Sequence, residues 1–409
     1  MPRTAIIGAG AAGCFCASIL RESGADVTLF EAHRKPMEKL AVTGGGRCNL
    51  TNSFEGISSL KEAYPRGESV LKRVLKAFSQ EDTCLWFTRR GVPLVLQDDH
   101  CWFPASQDAM DIVRVLARGI EGATVKLQHR VQAIEAAGQG FTVDGEPFDF
   151  VVVTAGGQPG GIPFLKSLSL EMVPPVPSLF TFTVPDPALR SLMGLVVQAG
   201  VSLPGTAFKA DGPLLVTDWG LSGPAALKLS SYAARYLADK SYRADIAINW
   251  LSSGESTVRE QLQKTAAENP RKQVSTTHGT LPARLWEHLV RRAGLREDLR
   301  WAEMGSKGLN RLTATLTCDV YPVSGKSRFR EEFVTAGGVA LSNIQLSTLE
   351  SKAYPGLYFA GEILDIDAIT GGFNLQAAWS TGYVAAQSIL KKILCVCNPF
   401  PLSSCWPPS

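Results

Sequence analysis

Residues 3–32 read RTAIIGAGAAGCFCASILRESGADVTLFEA, and this stretch decides the fold. Thr4 to Ile7 is short, β-branched and apolar, as a strand buried on both faces is. Gly8, Gly10 and Gly13 follow as G-x-G-x-x-G. In that pattern the first glycine permits a tight turn. The second lets a diphosphate approach the backbone, and the third lets a helix pack close to the strand. The helix that opens through Ala11 and Ala12 offers free N–H groups and a partial positive charge to that diphosphate. Asp26 to Phe30 reads as the second strand. It runs into Glu31 and Ala32, where a carboxylate is spaced to accept hydrogen bonds from an adenosine ribose. The glycines alone are a weak signal. The strand–turn–helix–strand–acid frame turns them into a dinucleotide-binding fingerprint, which by itself does not separate FAD from NAD(P).

The chain has 409 residues, enough for two or three domains with their own cores. Hydrophobic content of 45% and charged content of 19% describe an ordinary globular protein. No apolar run reaches the length of a membrane span, so no membrane partner is expected. Met1 leads within a few residues into the first strand, which leaves no room for a signal peptide and places the protein in the cytoplasm. The net charge of +3 neither demands nor excludes nucleic acid. Nine cysteines occur without a metal-site frame. They read as free thiols in a reducing compartment, and no metal is expected. Cys395, Cys397 and Cys405 fall in a Pro/Ser-rich tail, 392–409, which reads as disordered.

Along the chain the class is α/β. Residues 1–187 alternate strand and helix signals. FTVDGEPFDFVVVTAGG, 141–157, reads as a hairpin, a buried strand and a turn. Ala155, Gly156 and Gly157 there bring the backbone close to a ligand a second time. EMVPPVPSLFTFTVPDP, 171–187, is proline-dense and suits a crossover between domains. Short strands and turns fill 188–253, with a helix after Ser222. Residues 254–308 are helical and charged, 309–330 resume the inserted region, and 331–391 return to α/β character. A nucleotide domain split in this way favours FAD, a cofactor long enough to lie across both halves. PARLWEHLVRRAGLREDLRWAEM, 282–304, carries Arg284, Arg291, Arg292, Arg296 and Arg300 among acids. It reads as a solvated, ion-paired surface. The alternative is a phosphate-tracking surface for RNA.

Three further segments carry chemistry. LAVTGGGRCNLTN, 40–52, can turn tightly at Gly44, Gly45 and Gly46 and admit a planar ligand. Arg47 can pair with a phosphate, and Asn49 and Asn52 offer amides to a ring or a polyol chain. Cys48 is either a thiol acid or nucleophile there or a packing residue. YFAGEILD, 358–365, ends a buried strand in Gly361 and Glu362, where a ribityl hydroxyl could donate to the carboxylate. TGGFNLQAAW, 370–379, leads through Gly371 and Gly372 into a helix opening at Phe373, Asn374 and Leu375. Its N-terminus favours an anionic ring edge.

GAGAAG, GGGRCNLTN, GLSGPA, TAGGV and GLYFAGEILDIDAITGGFNLQAAWSTG together resemble the BaiN/RdsA family of FAD-dependent oxidoreductases, also called the aminoacetone oxidase family. The resemblance runs from the first strand to about residue 391. It implies a Rossmann-like FAD-binding domain split by an inserted β-barrel domain, with a small helical domain at 254–308. It implies FAD contacts at Gly8, Gly10, Gly13 and Glu31, along the GGGRCN segment, and at Gly361, Glu362 and the GGFNL turn. Val131 is expected to offer its backbone to adenine by analogy with that family. The implied chemistry is hydride transfer through the flavin N5 to an electron-poor C=C, with NAD(P)H as the transient donor. The acceptor is a small unsaturated molecule, or an RNA uridine reduced to dihydrouridine. A third reading is a flavoprotein that binds FAD without turnover. Many members carry Thr-His-x-Gly before GLSGPA; this chain has Thr217-Asp218-Trp219-Gly220. Cys48, Asp218 and Asp365 are the candidate proton donors.

Overall fold

In a computed structural model of the chain, residues 2–138, 140–157, 162–327 and 334–397 are described. They divide into two compact units, Met1–Val176 with Val334–Ser409, and Pro177–Phe333. The first unit is built on a parallel sheet of β1 (Arg3–Ile7), β2 (Asp26–Phe30), β3 (Thr124–Lys126), β4 (Phe150–Val153) and β5 (Leu357–Phe359). Their order is β5-β4-β1-β2-β3. This is the doubly wound order of dinucleotide-binding sheets, in which ligands bind beyond the carboxyl ends of the strands. β4 is buried along its whole length, as a central parallel strand must be.

Helix α1 (Ala11–Glu22) leaves β1 through the glycine turn. Gly8 has φ +107, and a Cβ there would lie 2.5 Å from the Thr154 carbonyl oxygen. A Cβ on Gly13 would lie 2.0 Å from the Gly8 carbonyl oxygen. Thr154 closes the same corner by donating its hydroxyl to Gly8 O at 2.7 Å and to Ile7 O at 3.1 Å. One turn further on, α1 buries Phe15 in an aromatic cluster. Its ring centroid lies 4.7 Å from Trp86, 5.4 Å from Phe78 and 5.4 Å from Trp379. Fully burying one such ring contributes roughly 1.5–3 kcal/mol.

Trp379 belongs to the long helix α3 (Phe373–Cys397). The expected disordered tail therefore begins too early: the apolar run after Lys392 continues the helix as far as Cys397. Residues 398–409, with Cys405, lie outside the described residues. Helix α2 (Glu38–Gly46) precedes it in the chain and leaves helical geometry at Thr43, Gly44 and Gly45.

The second unit carries a seven-stranded antiparallel sheet. Its longest pairing joins Val196–Ser202 to Lys209–Val216. The helix Gly223–Tyr232 follows Ser222, with Pro224 in its first turn, although the Ser222 side chain makes no capping hydrogen bond. The helix Gly305–Thr317 runs across the expected boundary at 308, and the next strand begins only at Asp319. Trp250 is fully buried and donates its indole N–H to Asp319 Oδ2 at 3.0 Å.

The two outer glycines of the turn are required by the protein's own packing, and Gly10, where a Cβ would meet nothing within 4 Å, is not. Gly13→Ala is expected to lose about 2–3 kcal/mol of unfolding free energy in urea. Gly10→Ala is expected to stay within about 0.5 kcal/mol of the parent.

Candidate functional site

The carboxyl ends of β1, β2 and β4 open into a groove of about 500 Å³ within the first unit. This is within the range of small-molecule sites. Of the residues expected from sequence to hold a nucleotide, Gly8, Gly10, Glu31, Ala32, Val131, Ala155, Gly156, Gly157 and Glu362 line it. Ala11, Ala12 and Gly13 form the first turn of α1 behind them. Gly10 is the N-cap, with φ −84, and no side chain caps the helix. No acidic residue sits in its first turn. The first amides of α1 therefore have no intrahelical acceptor and leave the positive end of the helix unneutralised. Glycine at residue 10 is not demanded by backbone angle or neighbouring atoms. Its open side fits a diphosphate lying against the turn.

Glu31 is buried, and it is anchored without being saturated. Its Oε2 accepts from Ala9 N at 2.8 Å, and its Oε1 accepts from His33 N at 2.9 Å. His33 Nδ1 lies 2.7 Å from the same Oε1. Oε1 is thus engaged twice, while Oε2 keeps a further lone pair for a ribose hydroxyl. The loop carrying Val131 is tied back by His129 N to Glu31 O at 2.8 Å. Asp144 holds the loop's other end, accepting from Gln132 N and Ala133 N at 2.9 Å each. Partial burial acts to raise the Asp144 carboxyl, but those amides and His129 hold it below its usual range.

Glu362 faces the groove from beyond β5. Its Oε1 accepts from Thr335 N at 2.7 Å, and its Oε2 is 3.0 Å from Lys39 Nζ. Sequence reasoning passed over Lys39, His33 and Thr154, which also line the groove. Lys39 stands in no motif. His33, two residues beyond Glu31, was the one of the three with a signal to find.

The other expected contacts form a second cluster, and most of their polar groups are used inside the protein. With its amide oriented to satisfy both ends, Asn49 donates to Thr51 O at 3.1 Å and accepts from Gly372 N at 3.3 Å. Asn52 donates to Gly371 O at 3.0 Å. The GGGRCN segment and the GGFNL turn are thus brought together. Phe373 is buried in an edge-on aromatic group with Phe54 and Tyr64, and Tyr64 donates its hydroxyl to Phe373 O at 3.0 Å. Asn374 spans Ala368, accepting from its N at 2.9 Å and donating to its O at 3.1 Å. It pins the loop instead of offering its amide outward. Leu375 packs against the apolar core around α1, and Gly361 lies against Ala12. Gly45 is exposed and Gly46 half-buried.

One expected role is corrected, and one of two open readings is favoured. Arg47 does not line the groove: its guanidinium stacks 4.5 Å from the Phe103 ring centroid and reaches Gln107. Cys48 is fully buried, and burial pushes its thiol up to about 12 against a lesser pull from Thr43, which fits the packing reading over the nucleophile. Asp365 is half-buried, with its N–H donating to Val339 O at 3.0 Å. Asp218 is exposed in the second unit, and its backbone carbonyl accepts from Arg190. In the arginine-rich stretch, Arg284 donates to Ser191 O at 2.8 Å and Arg292 pairs with Asp319 and Asp186. Arg291 and Arg296 face Glu297, Asp298 and Glu303. Among the described residues no cluster of three or more His, Cys, Asp or Glu could hold a metal ion. No helix there is long and apolar enough to cross a membrane.

The HI0933-like protein Rossmann domain family matches residues 2–388. The chain belongs to the BaiN/RdsA family of FAD-dependent oxidoreductases. It is 30% identical over 408 residues to the ribosomal RNA dihydrouridine synthase of Escherichia coli (strain K12), covering 94% of this chain and 97% of that one. It is 27% identical over 413 residues to the 3-dehydro-bile acid delta(4,6)-reductase of Clostridium scindens, covering 96% and 100%. The 3-ketosteroid delta1-dehydrogenase of Sterolibacterium denitrificans aligns over 96% of this chain and 100% of its own, at 12% identity and a TM-score of 0.49.

The burial of Cys48 gives a direct test. A thiol held near 12 is about one part in ten thousand thiolate at pH 8. Iodoacetamide at pH 8 followed by peptide mass spectrometry is expected to label the exposed Cys318 and leave Cys48 unmodified. Because folding raises this thiol above its unfolded value, its contribution to stability is present below about pH 9 and fades as pH rises through 9 towards 12.

Proposed function

We propose that this chain reduces an electron-poor C=C conjugated to a carbonyl, drawing its electrons from NAD(P)H. Bound FAD would supply the hydride transfer, through its N5. The observation that carries the cofactor's placement is Gly10, whose open side and uncapped helix end fit a diphosphate. Gly10 and the first amides of α1 would hold the diphosphate, Glu31 the adenosine ribose, and the Val131 backbone the adenine. Glu362 would accept from the polyol chain. The Gly371-Gly372-Phe373 turn would set the amides of α3 against the ring edge, favouring negative charge there by roughly 0.3–1 kcal/mol. The chain's other task is orientation, which hydride transfer needs more than a side-chain nucleophile. Asp365 is our candidate proton donor in the first unit. The antiparallel strands of the second unit are read as the barrel the family implies, with helices 255–317 as its helical part. The free cysteines favour a cytoplasmic setting.

Two relatives' names support the acceptor class. A dihydrouridine synthase and a bile acid delta(4,6)-reductase both saturate a C=C. The higher identity of the RNA-modifying relative favours a uridine in RNA as a second acceptor to test beside a small enone. The arginines at 284–300 carry no argument for an RNA surface: Arg284 and Arg292 are tied to Ser191 and Asp319, and Arg291 and Arg296 make exposed ion pairs.

The purified protein is expected to show flavin absorbance that bleaches on anaerobic addition of NADPH or NADH and returns when an enone or a uridine-containing RNA is added. Bands that persist with both donors would move the reading to another reductant or to binding without turnover. Gly10→Val is expected to purify without flavin while its urea midpoint stays close to the parent's. Full flavin content in that variant would overturn the placement of the cofactor.

A further inference from the structure

Lys39 and Glu362 are 323 residues apart in sequence, yet their side chains meet at 3.0 Å over the nucleotide groove. They reach it from opposite sides. Lys39 follows β2 and Glu362 follows β5, and in the sheet these strands flank β1 and β4. Both are fixed to the glycine turn. Met37, at the start of α2, donates its N–H to Ala9 O at 2.8 Å, between Gly8 and Gly10. Met37 is buried and holds φ +59, so the entry of α2 onto that turn is set by packing. Gly361, beside Glu362, lies against Ala12 in the first turn of α1. The two charges are therefore held beside the glycine turn and the first turn of α1.

Other basic side chains also line the groove: His33 bonds Glu31, His129 bonds Asp144, and Lys35 and Arg130 stand on the same wall. Lys39 meets Glu362, and its side chain is 58% exposed on a flexible stem while Glu362 is 22% exposed and anchored by Thr335. We propose that Lys39 is a ligand of the nucleotide diphosphate and that Glu362 competes for it. A diphosphate carries more negative charge than one carboxylate, so it draws Lys39 off Glu362. The Glu362 oxygen released in that exchange then accepts from hydroxyls of the cofactor's polyol chain. Loading the diphosphate and engaging the polyol become one coupled event. This inference rests on the nucleotide reading of the groove.

The test uses the full-length chain in equilibrium dialysis against FAD, with ADP and adenosine as competitors. ADP carries the diphosphate without the polyol, and adenosine carries neither. Lys39→Met is expected to weaken both FAD binding and ADP competition about tenfold and to leave adenosine competition unchanged, the loss of one charge-assisted contact. Glu362→Gln keeps an acceptor for Thr335 N and removes the rival charge, so ADP is expected to compete about threefold better. In the double variant that gain disappears, since no Lys39 remains to be released. Unchanged ADP competition in Lys39→Met overturns the proposal, and so does an equal loss for adenosine, which would mark Lys39 as structural. A parent chain that binds FAD while Lys39→Met behaves like it removes this inference alone. A parent chain that binds neither FAD nor ADP removes the cofactor reading and this inference together.

Discussion

Helix α1 can lie against the turn that precedes it only because residue 13 has no side chain. A Cβ there would sit 2.0 Å from the Gly8 carbonyl oxygen. That oxygen also accepts the Thr154 hydroxyl, so β1, β4 and α1 meet at one point. Two consequences follow along the helix. At its start, uncapped amides are held beyond the carboxyl ends of the strands, where they face the groove. One turn later, Phe15 is delivered into the aromatic cluster that holds Trp379 of α3. The close approach that makes the groove also anchors the returning half of the domain.

That anchor explains the second cluster. Trp379 donates its indole N–H to Leu50 O at 3.0 Å, which draws α3 onto the GGGRCNLTN segment. Gly372 then lies so close to Thr51 and Asn49 that a Cβ would meet both at 2.6 Å. In such a junction buried backbone polar groups need partners, and the nearby amides supply them. Asn49, Asn52 and Asn374 are used in this way. Residue types that suit ligand binding are the same types that satisfy a tight backbone crossing, and here the crossing takes most of them.

Charge is distributed along the groove with a similar economy of partners. Glu31 and Glu362 stand at opposite ends, each held by backbone N–H groups. Near them His33 bonds Glu31 and Lys39 meets Glu362, while Lys35 and Arg130 add basic side chains to the same wall. An acid fixed by amides keeps its place while its remaining lone pairs stay free for hydroxyls. A lysine on a flexible stem can move between anions. The walls thus combine fixed acceptors with long basic side chains.

The amino-terminal half of the nucleotide domain was legible in sequence because its signals are local. Strand, turn, helix, strand and acid fall within thirty residues, and Gly8 and Gly13 take the turn and packing roles their spacing implies. The GEILD and GGFN stretches were likewise legible as returning to that domain. The side-chain partners of Arg47 and Asn374 were not, because what each touches depends on distant or looping chain: Phe103 and the loop at Ala368. No spacing rule reports that a guanidinium will stack on a ring or that a thiol will lose its water. The helical reach of α3 to Cys397 was obscured by a Pro/Ser-rich composition that begins only after it. The sequence by itself determined a strand–turn–helix with glycines at residues 8 and 13 and an acid ending the next strand, since those signals are local in the chain. Only the tertiary structure decided that β5 lies beside β4 and that Lys39 meets Glu362, since those pairings come from which distant backbones pack together.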